Sequence, residues 1–339
     1  MPIIYDKGFD SDRARDRQNI IGLHDKRIKQ AIISQLQEND TFINSTWIYP
    51  EPELTDIIQK SKNESRRVFC YSGPDWDNSY TEHHRSDEKI QNFRFVHNDL
   101  SQCDVRYIGN RLGKYYFSFW LDFVYTYIEK FETFDPYNLK YPFKTFMCLN
   151  RKPHTHRLFL VRSLERNNLL PYGHVSQGGD YVIKLSKDIT NEEGDKAVNS
   201  DIGGITNDIT SLGHEDNWNS HFLNVVTETT DFTNVFITEK TFKPILGRRP
   251  FIILGDNNVY SVLKEWGFDT FDDLFGNGYN TPSTEDRIIW ITDVIRDLSK
   301  QKNLDKLLLS LKPRLENNYK NLLEIAKLNR KSLYNLLDK

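Results

Sequence analysis

No run of apolar residues in this chain approaches the roughly 20 needed to cross a bilayer. The opening Met-Pro-Ile-Ile-Tyr-Asp-Lys is not a basic segment followed by an apolar one. A membrane span and a secretory leader are therefore not expected, and the expected location is cytoplasmic. Cysteine is scarce: Cys70, Cys103 and Cys148 are odd in number and far apart, and Cys70 and Cys148 are set beside apolar residues. That supports neither a disulfide framework nor a zinc site, which wants paired Cys or His at short spacing, and the thiols read as reduced core residues. Glycine signatures are missing too. There is no Gly-x-Gly-x-x-Gly, no phosphate loop ending in Gly-Lys-Ser or Gly-Lys-Thr, and no Gly-x-Ser-x-Gly. These absences argue against dinucleotide oxidoreductases, ordinary ATPases and α/β-hydrolases. Nor does charge of one sign dominate: 45 basic and 48 acidic side chains leave a formal charge of −3, so no global field draws the chain to nucleic acid or anionic lipid. The short runs Arg13-Ala14-Arg15, Lys26-Arg27 and Arg66-Arg67 read as solvated helix faces.

What is present describes a packed protein of two domains. A 38% hydrophobic and 13% aromatic share suits a folded chain, and 339 residues exceed one comfortable core. Helical spacing runs over 25–37 and again over 115–131, where Tyr116, Phe119, Trp120, Phe123, Tyr127 and Ile128 form an aromatic stripe. Such a stripe reads as core packing rather than a base-stacking surface. Strands are expected at 67–71, 93–96 and 105–109. The proline-broken segment 134–142 reads as the linker. After it, strands at 144–149, 223–228 and 250–254 alternate with helices from 157 and 238, while 180–215 is polar and unpatterned. Alternation of this kind predicts parallel sheets with crossover helices, an α/β protein. The expected division is an N-terminal α/β domain over 1–140, a second over 141–285, and charged outer helices over 286–339.

The chemistry-bearing segment is Phe236-Ile237-Thr238-Glu239-Lys240-Thr241-Phe242. Thr238 is a good N-cap and Glu239 suits a first turn, so a helix is expected to start here with free N–H groups able to meet an anion. Lys240 adds a mobile positive charge for a diphosphate, and Glu239 can accept two hydrogen bonds from the neighbouring hydroxyls of a ribose. The plain alternative is a capped surface helix. Upstream stand Leu223-Asn224-Val225-Val226-Thr227-Glu228, and downstream Arg249-Pro250-Phe251-Ile252-Ile253-Leu254-Gly255. Taken in this order, the three pieces resemble the C-terminal donor-binding region of the fucosyltransferase-like GT-B glycosyltransferases over roughly 144–275. Leu149-Asn150-Arg151 through Arg157 is similar to the same family's strand and loop leading to an arginine that grips phosphate. The chain departs from that pattern at Phe236, where a tyrosine is usual, and at Pro244, which removes a helix hydrogen bond. The run through Thr238-Glu239-Lys240-Thr241-Phe242-Lys243-Pro244 also resembles uncharacterised proteins of tailed phages.

The resemblance implies two Rossmann-like domains facing each other across a cleft, with C-terminal helices, and a UDP- or GDP-sugar as donor. No cofactor and no metal are implied, because positive charge does the metal's work. It implies donor contacts from Asn150, Arg151, Arg157, Ser176, Glu228, Phe236, Thr238, Glu239 and Lys240, and an inverting transfer to a hydroxyl acceptor, a glycan or another. An inverting transfer needs a general base at the end of an N-domain strand. Asp75, Asp77 and His97 are the candidates, each of which also suits a turn or a satisfied polar role. Asp75-Trp76-Asp77 also fits a metal-holding Asp-x-Asp of the GT-A fold, although Gly73-Pro74 before it makes a turn simple. His154 and His156, or His83 and His84, lack a third and fourth metal ligand. Two alternatives stay open: a phage-type DNA glycosyltransferase acting on a hydroxymethylated base, whose DNA binding would weaken with salt, and a catalytically silent nucleotide- or glycan-binding module.

Overall fold

The computed structural model describes residues 1–6, 20–44, 52–71, 103–108, 119–130, 134–150, 153–177, 212, 215–229, 231, 235 and 237–337. The chain divides into two compact units, Met1–Tyr125 with Ala326–Lys339, and Thr126–Ile325. Among the described residues each carries a four-stranded, wholly parallel sheet. The α/β class of two Rossmann-like units is thus as the alternation predicted.

In the first unit β1 (Ile3–Asp6), β2 (Asp40–Asn44), β3 (Arg67–Tyr71) and β4 (Asp104–Ile108) lie in that order. Helices α1 (Ile20–Ile33) and α2 (Pro52–Asn63) make the first two crossovers. β3 is the continuous apolar run expected of a strand covered on both faces. β2 escaped the sequence reading because its ends are polar. Those ends are nonetheless buried: Asp40 takes a two-pronged pair from Arg67 at 2.8 and 2.7 Å, and Thr41 shares a hydrogen bond with Ser61 of α2. Pro52 opens α2, where its missing N–H costs nothing. Leu54, Ile58 and Ser61 then face inward one turn apart. Helix α3 (Phe119–Lys130) buries Trp120 and Tyr127 of the aromatic stripe read as core, together with Leu121 and Val124, while Ile128 is half-buried. Within the first unit its Asp122 is buried and receives Arg27 at 3.1 Å and Arg330 at 2.7 Å.

In the second unit β5 (Lys144–Asn150), β6 (Gly173–Gln177), β7 (His221–Thr227) and β8 (Phe251–Leu254) are ordered β6-β5-β7-β8. Helix α4 (Thr155–Arg166) follows β5, a short α5 (Glu215–Asn219) precedes β7, and α6 (Glu239–Leu246) links β7 to β8. Helices α7 (Val259–Glu265), α8 (Asp272–Phe275), α9 (Thr284–Ser299) and α10 (Leu304–Ser310) come next. The long α11 (Lys312–Leu337) runs on into residues of the first unit, as α3 runs out of it. α9 packs on α4, β5 and β8, and α10 on β7. Every residue of β7 is buried, as a central parallel strand requires. α6 continues through Pro244 to Leu246. Cys70 and Cys148 are buried thiols, raised by burial to about 12 and about 11, while Cys103 is half-buried. No helix among the described residues is long and apolar enough to cross a membrane.

The N-terminal ends of β6 and β7 hold a half-buried histidine, His174, and a fully buried one, His221. His174 Nε2 lies 2.8 Å from Ser220 Oγ, and His221 donates from Nδ1 to Asn217 O at 2.7 Å. Burial, with Lys144 nearby, lowers His174 to about 4; burial and the Arg249 cation hold His221 well below 6.5. The unfolded chain therefore binds more protons than the folded one as the pH falls from 6.5 towards about 4. The stability these neutral rings contribute is full above 6.5 and lost on the way down, at up to about 1.4 kcal/mol per pH unit per ring. Urea midpoints measured from pH 7.5 to 4.5 are expected to fall accordingly. His174→Gln should flatten the slope by one ring's share, and a curve parallel to that of the parent would contradict this assignment.

Candidate functional site

The strand order places a topological switch point between β5 and β7: the chain leaves β5 towards β6 on one side and β7 towards β8 on the other. In open parallel sheets the crevice at the carboxyl ends of such strands is where ligands bind. Asn150 ends β5, Ser176 and Gln177 end β6, and Thr227 and Glu228 end β7. The first turns of α4 and α6 rise beside them.

The two central strands are laced together at this end. Thr227 Oγ1 donates to Asn150 Oδ1 at 2.5 Å. Arg157, in the first turn of α4, donates through Nη2 to the carbonyls of Thr227 and Glu228 at 3.1 and 3.0 Å. His156 reaches the same Glu228 carbonyl with Nε2 at 2.8 Å. Burial lowers the Arg157 pKa, and the charges of Glu228 and Glu239 act against that. α4 itself begins without a side-chain cap, its N-cap residue being His154.

The first turn of α6 differs from its expected state. Thr238 is the N-cap, as its sequence predicted, and accepts from Lys240 N–H at 3.3 Å. Glu228, fully buried, fills the place expected for an outside anion. Its Oε1 accepts from Thr238 N–H at 3.0 Å and from Thr241 Oγ1 at 2.7 Å, while its Oε2 accepts from Thr238 Oγ1 at 2.7 Å. A carboxylate here complements the helix dipole from within. The N–H of Thr241 goes to Thr238 O. The expectation of free α6 N–H groups facing an anion is thereby corrected for Thr238, Lys240 and Thr241, whose N–H groups the fold has already spent. Gly255 lies against this carboxylate's stem; a Cβ there would stand 3.3 Å from Glu228 Cβ.

Glu239 and Lys240 remain. Lys240 Nζ lies 3.2 Å from Glu239 Oε1, 3.0 Å from Thr238 Oγ1 and 3.4 Å from Thr229 Oγ1, with its side chain 31% exposed. Glu239 Oε2 is buried and has no hydrogen-bond partner. Burial pushes the Glu239 carboxyl up, but Lys240 and Lys243 outweigh it and hold the group below its ordinary value, so it is ionised. Ser176 is fully buried with its Oγ likewise unpartnered.

The structure thus brings Asn150, Arg157, Glu228, Thr238, Glu239 and Lys240 to the carboxyl end of one sheet. Arg157 and Lys240 both address Glu228, one at its carbonyl and the other 4.0 Å from its carboxylate. Ser176 stands at the end of the neighbouring β6. Arg151, Phe236, Asp75, Asp77 and His97 lie outside the described residues. The sequence reading did not single out Thr227 or Asp231. It had named His156 only as a weak metal candidate, although its place beside Arg157 at a strand-to-helix turn was the available signal. No group of three or more His, Cys, Asp or Glu among the described residues is placed to hold a metal ion.

No protein-family profile and no curated protein matches the sequence. Among solved structures, the chain is similar to one described as the crystal structure of alpha1,3-fucosyltransferase with GDP-fucose. The identity is 12% and the TM-score 0.39, over all of this chain and 90% of that one. A likeness this slight carries no weight for function.

Proposed function

We propose that the protein is a nucleotide-sugar-dependent glycosyltransferase whose donor site is the crevice at the carboxyl ends of β5 and β7. The observation that carries this reading is Glu239 Oε2, a buried, ionised acceptor without a donor, at the switch point of a parallel sheet and beside a partly exposed ammonium. A dry acceptor left unpaired costs about 1–3 kcal/mol. The vicinal hydroxyls of a ribose supply what it lacks, and Lys240 then faces the diphosphate. With the N–H groups of Thr238, Lys240 and Thr241 already paired within the fold, the phosphates fall to Lys240 and to the uncapped first turn of α4. Arg157 acts from behind by fixing the end of β7.

In this reading an acceptor hydroxyl attacks the anomeric carbon as the bond from that carbon to the diphosphate oxygen breaks. The hydroxyl proton passes to a carboxylate or histidine, and Asp75, Asp77 and His97 remain the residues proposed for it. Charge growing on the departing phosphate is stabilised by Lys240, an electrostatic role that requires no metal, and transfer inverts the anomeric centre. The acceptor is a hydroxyl compound.

Thermal unfolding in the presence of UDP, GDP and their sugars tests the proposal. A ligand at 100 times its Kd stabilises by about 2.7 kcal/mol, a clear rise in Tm. Donor hydrolysis that survives a chelator is also expected. If every nucleotide leaves Tm unmoved, the proposal is wrong.

A further inference from the structure

We infer that His156 is a positioning residue of this donor site and takes a proton from solvent onto Nδ1 when the donor's phosphates bind; the inference rests on the reading just given. The ring of His156 stands between two acceptors. Nε2 is 2.8 Å from the Glu228 carbonyl, and Nδ1 is 3.4 Å from Asp231 Oδ1. A carbonyl only accepts, so Nε2 carries hydrogen, and the neutral ring then turns a lone pair towards a carboxylate. The imidazolium alone satisfies both neighbours.

Both side chains are nearly out of water, at 5% and 8% exposure. Asp231 is held in place: Thr284 Oγ1 donates to its Oδ2 at 2.7 Å, and Arg287 Nη2 to its backbone oxygen at 2.7 Å. Arg157 from α4 and Arg287 from α9 oppose a further positive charge, whereas Asp231 and the Glu228 carbonyl favour it. The His154 ring lies parallel at 6.0 Å. Burial is the largest influence and keeps the ring below its ordinary value, so the free protein holds it neutral near neutrality. Diphosphate arriving at the first turn of α4, of which His156 is part, shifts that balance towards the cation. By linkage, the protein then binds the anion more tightly as pH falls. The charged ring, bonded on both sides, clamps the end of β7 whose Glu228 carboxylate carries α6, Glu239 and Lys240.

The test is titration calorimetry with UDP- and GDP-sugars, whose diesterified phosphates do not titrate near neutrality, in buffers of differing ionisation enthalpy from pH 6 to 8. Wild type is expected to take up close to one proton per donor bound, with affinity rising towards about tenfold per unit fall in pH. His156→Gln keeps a donor for the Glu228 carbonyl and is expected to bind without uptake; Asp231→Asn should reduce the uptake, and His174→Gln should retain it. Should His156→Gln fail to fold, imidazole 15N spectra of the wild type decide, with Nδ1 protonated in the bound state alone. Binding without proton uptake in wild type, or undiminished uptake in His156→Gln, overturns this inference and leaves the donor site standing. No binding of any sugar nucleotide at any pH removes both.

Discussion

Arg249→Met is expected to cost about 3–5 kcal/mol of folding stability, since several buried oxygens lose their donor at about 1–3 kcal/mol each. The side chain is fully buried, and its partners are backbone and amide oxygens, with no carboxylate among them. Nε donates to His221 O at 3.0 Å, Nη1 to Gly247 O and Arg248 O at 3.1 and 3.0 Å, and Nη2 to Pro136 O at 2.9 Å and Asn219 Oδ1 at 3.4 Å. One guanidinium so joins the start of β7, the turn out of α6, and the 134–143 segment. Burial lowers it to about 9, which leaves it a cation at neutral pH. Methionine fills the channel but leaves dry carbonyls behind, and each unpaired group is expensive. Urea unfolding is the measurement, with a lowered midpoint at unchanged slope. A loss under about 1 kcal/mol would mean that water reaches those oxygens.

Glu228→Gln and Glu239→Gln are expected to separate, although the two glutamates stand at the same helix start. Glu228 accepts three hydrogen bonds with no exposure. An amide nitrogen in place of one oxygen turns a donor against a donor, so a loss of about 2–3 kcal/mol is expected in the absence of ligand. Glu239→Gln removes one ion pair with a partly exposed lysine and relieves an unpaired charged oxygen. Its stability should stay within about 1 kcal/mol of the parent. Its affinity for a sugar nucleotide should fall by roughly 10- to 100-fold, the worth of hydrogen bonds to a charged acceptor. The pair of unfolding curves and binding isotherms checks both halves. Equal losses of stability would make Glu239 a second structural cap and remove the reason for placing a ribose there.

Strands β5, β7 and β8 of the second sheet were legible because they are apolar runs, and a strand covered on both faces is written in consecutive large residues; β6, Gly-His-Val-Ser-Gln, is no such run. The helix start at Thr238 was legible for a local reason, since N-cap chemistry is decided within three residues. What escaped notice is non-local. Glu228 reaches Thr238 and Thr241 across a loop, and nothing in the residues themselves told whether the α6 terminus would be filled by the chain's own carboxylate or left for a ligand. Asp40 and Thr41 hid β2 because their burial is licensed by Arg67 and Ser61, partners some 20 to 27 positions away. Arg157 stands at the carboxyl end of the second sheet, yet an arginine that grips phosphate and one that grips strand-end carbonyls are written identically.

The dependence of Asp122 on Arg330 sets the order in which the molecule is completed during synthesis. The N-terminal unit incorporates residues 326–339, so a ribosome that has delivered β1 to β4 still withholds the helix segment that brings buried Asp122 the second of its two arginines. The unit translated first is therefore finished last, after the 126–325 body has emerged between its two portions, against the usual progression in which domains mature in the order they are made.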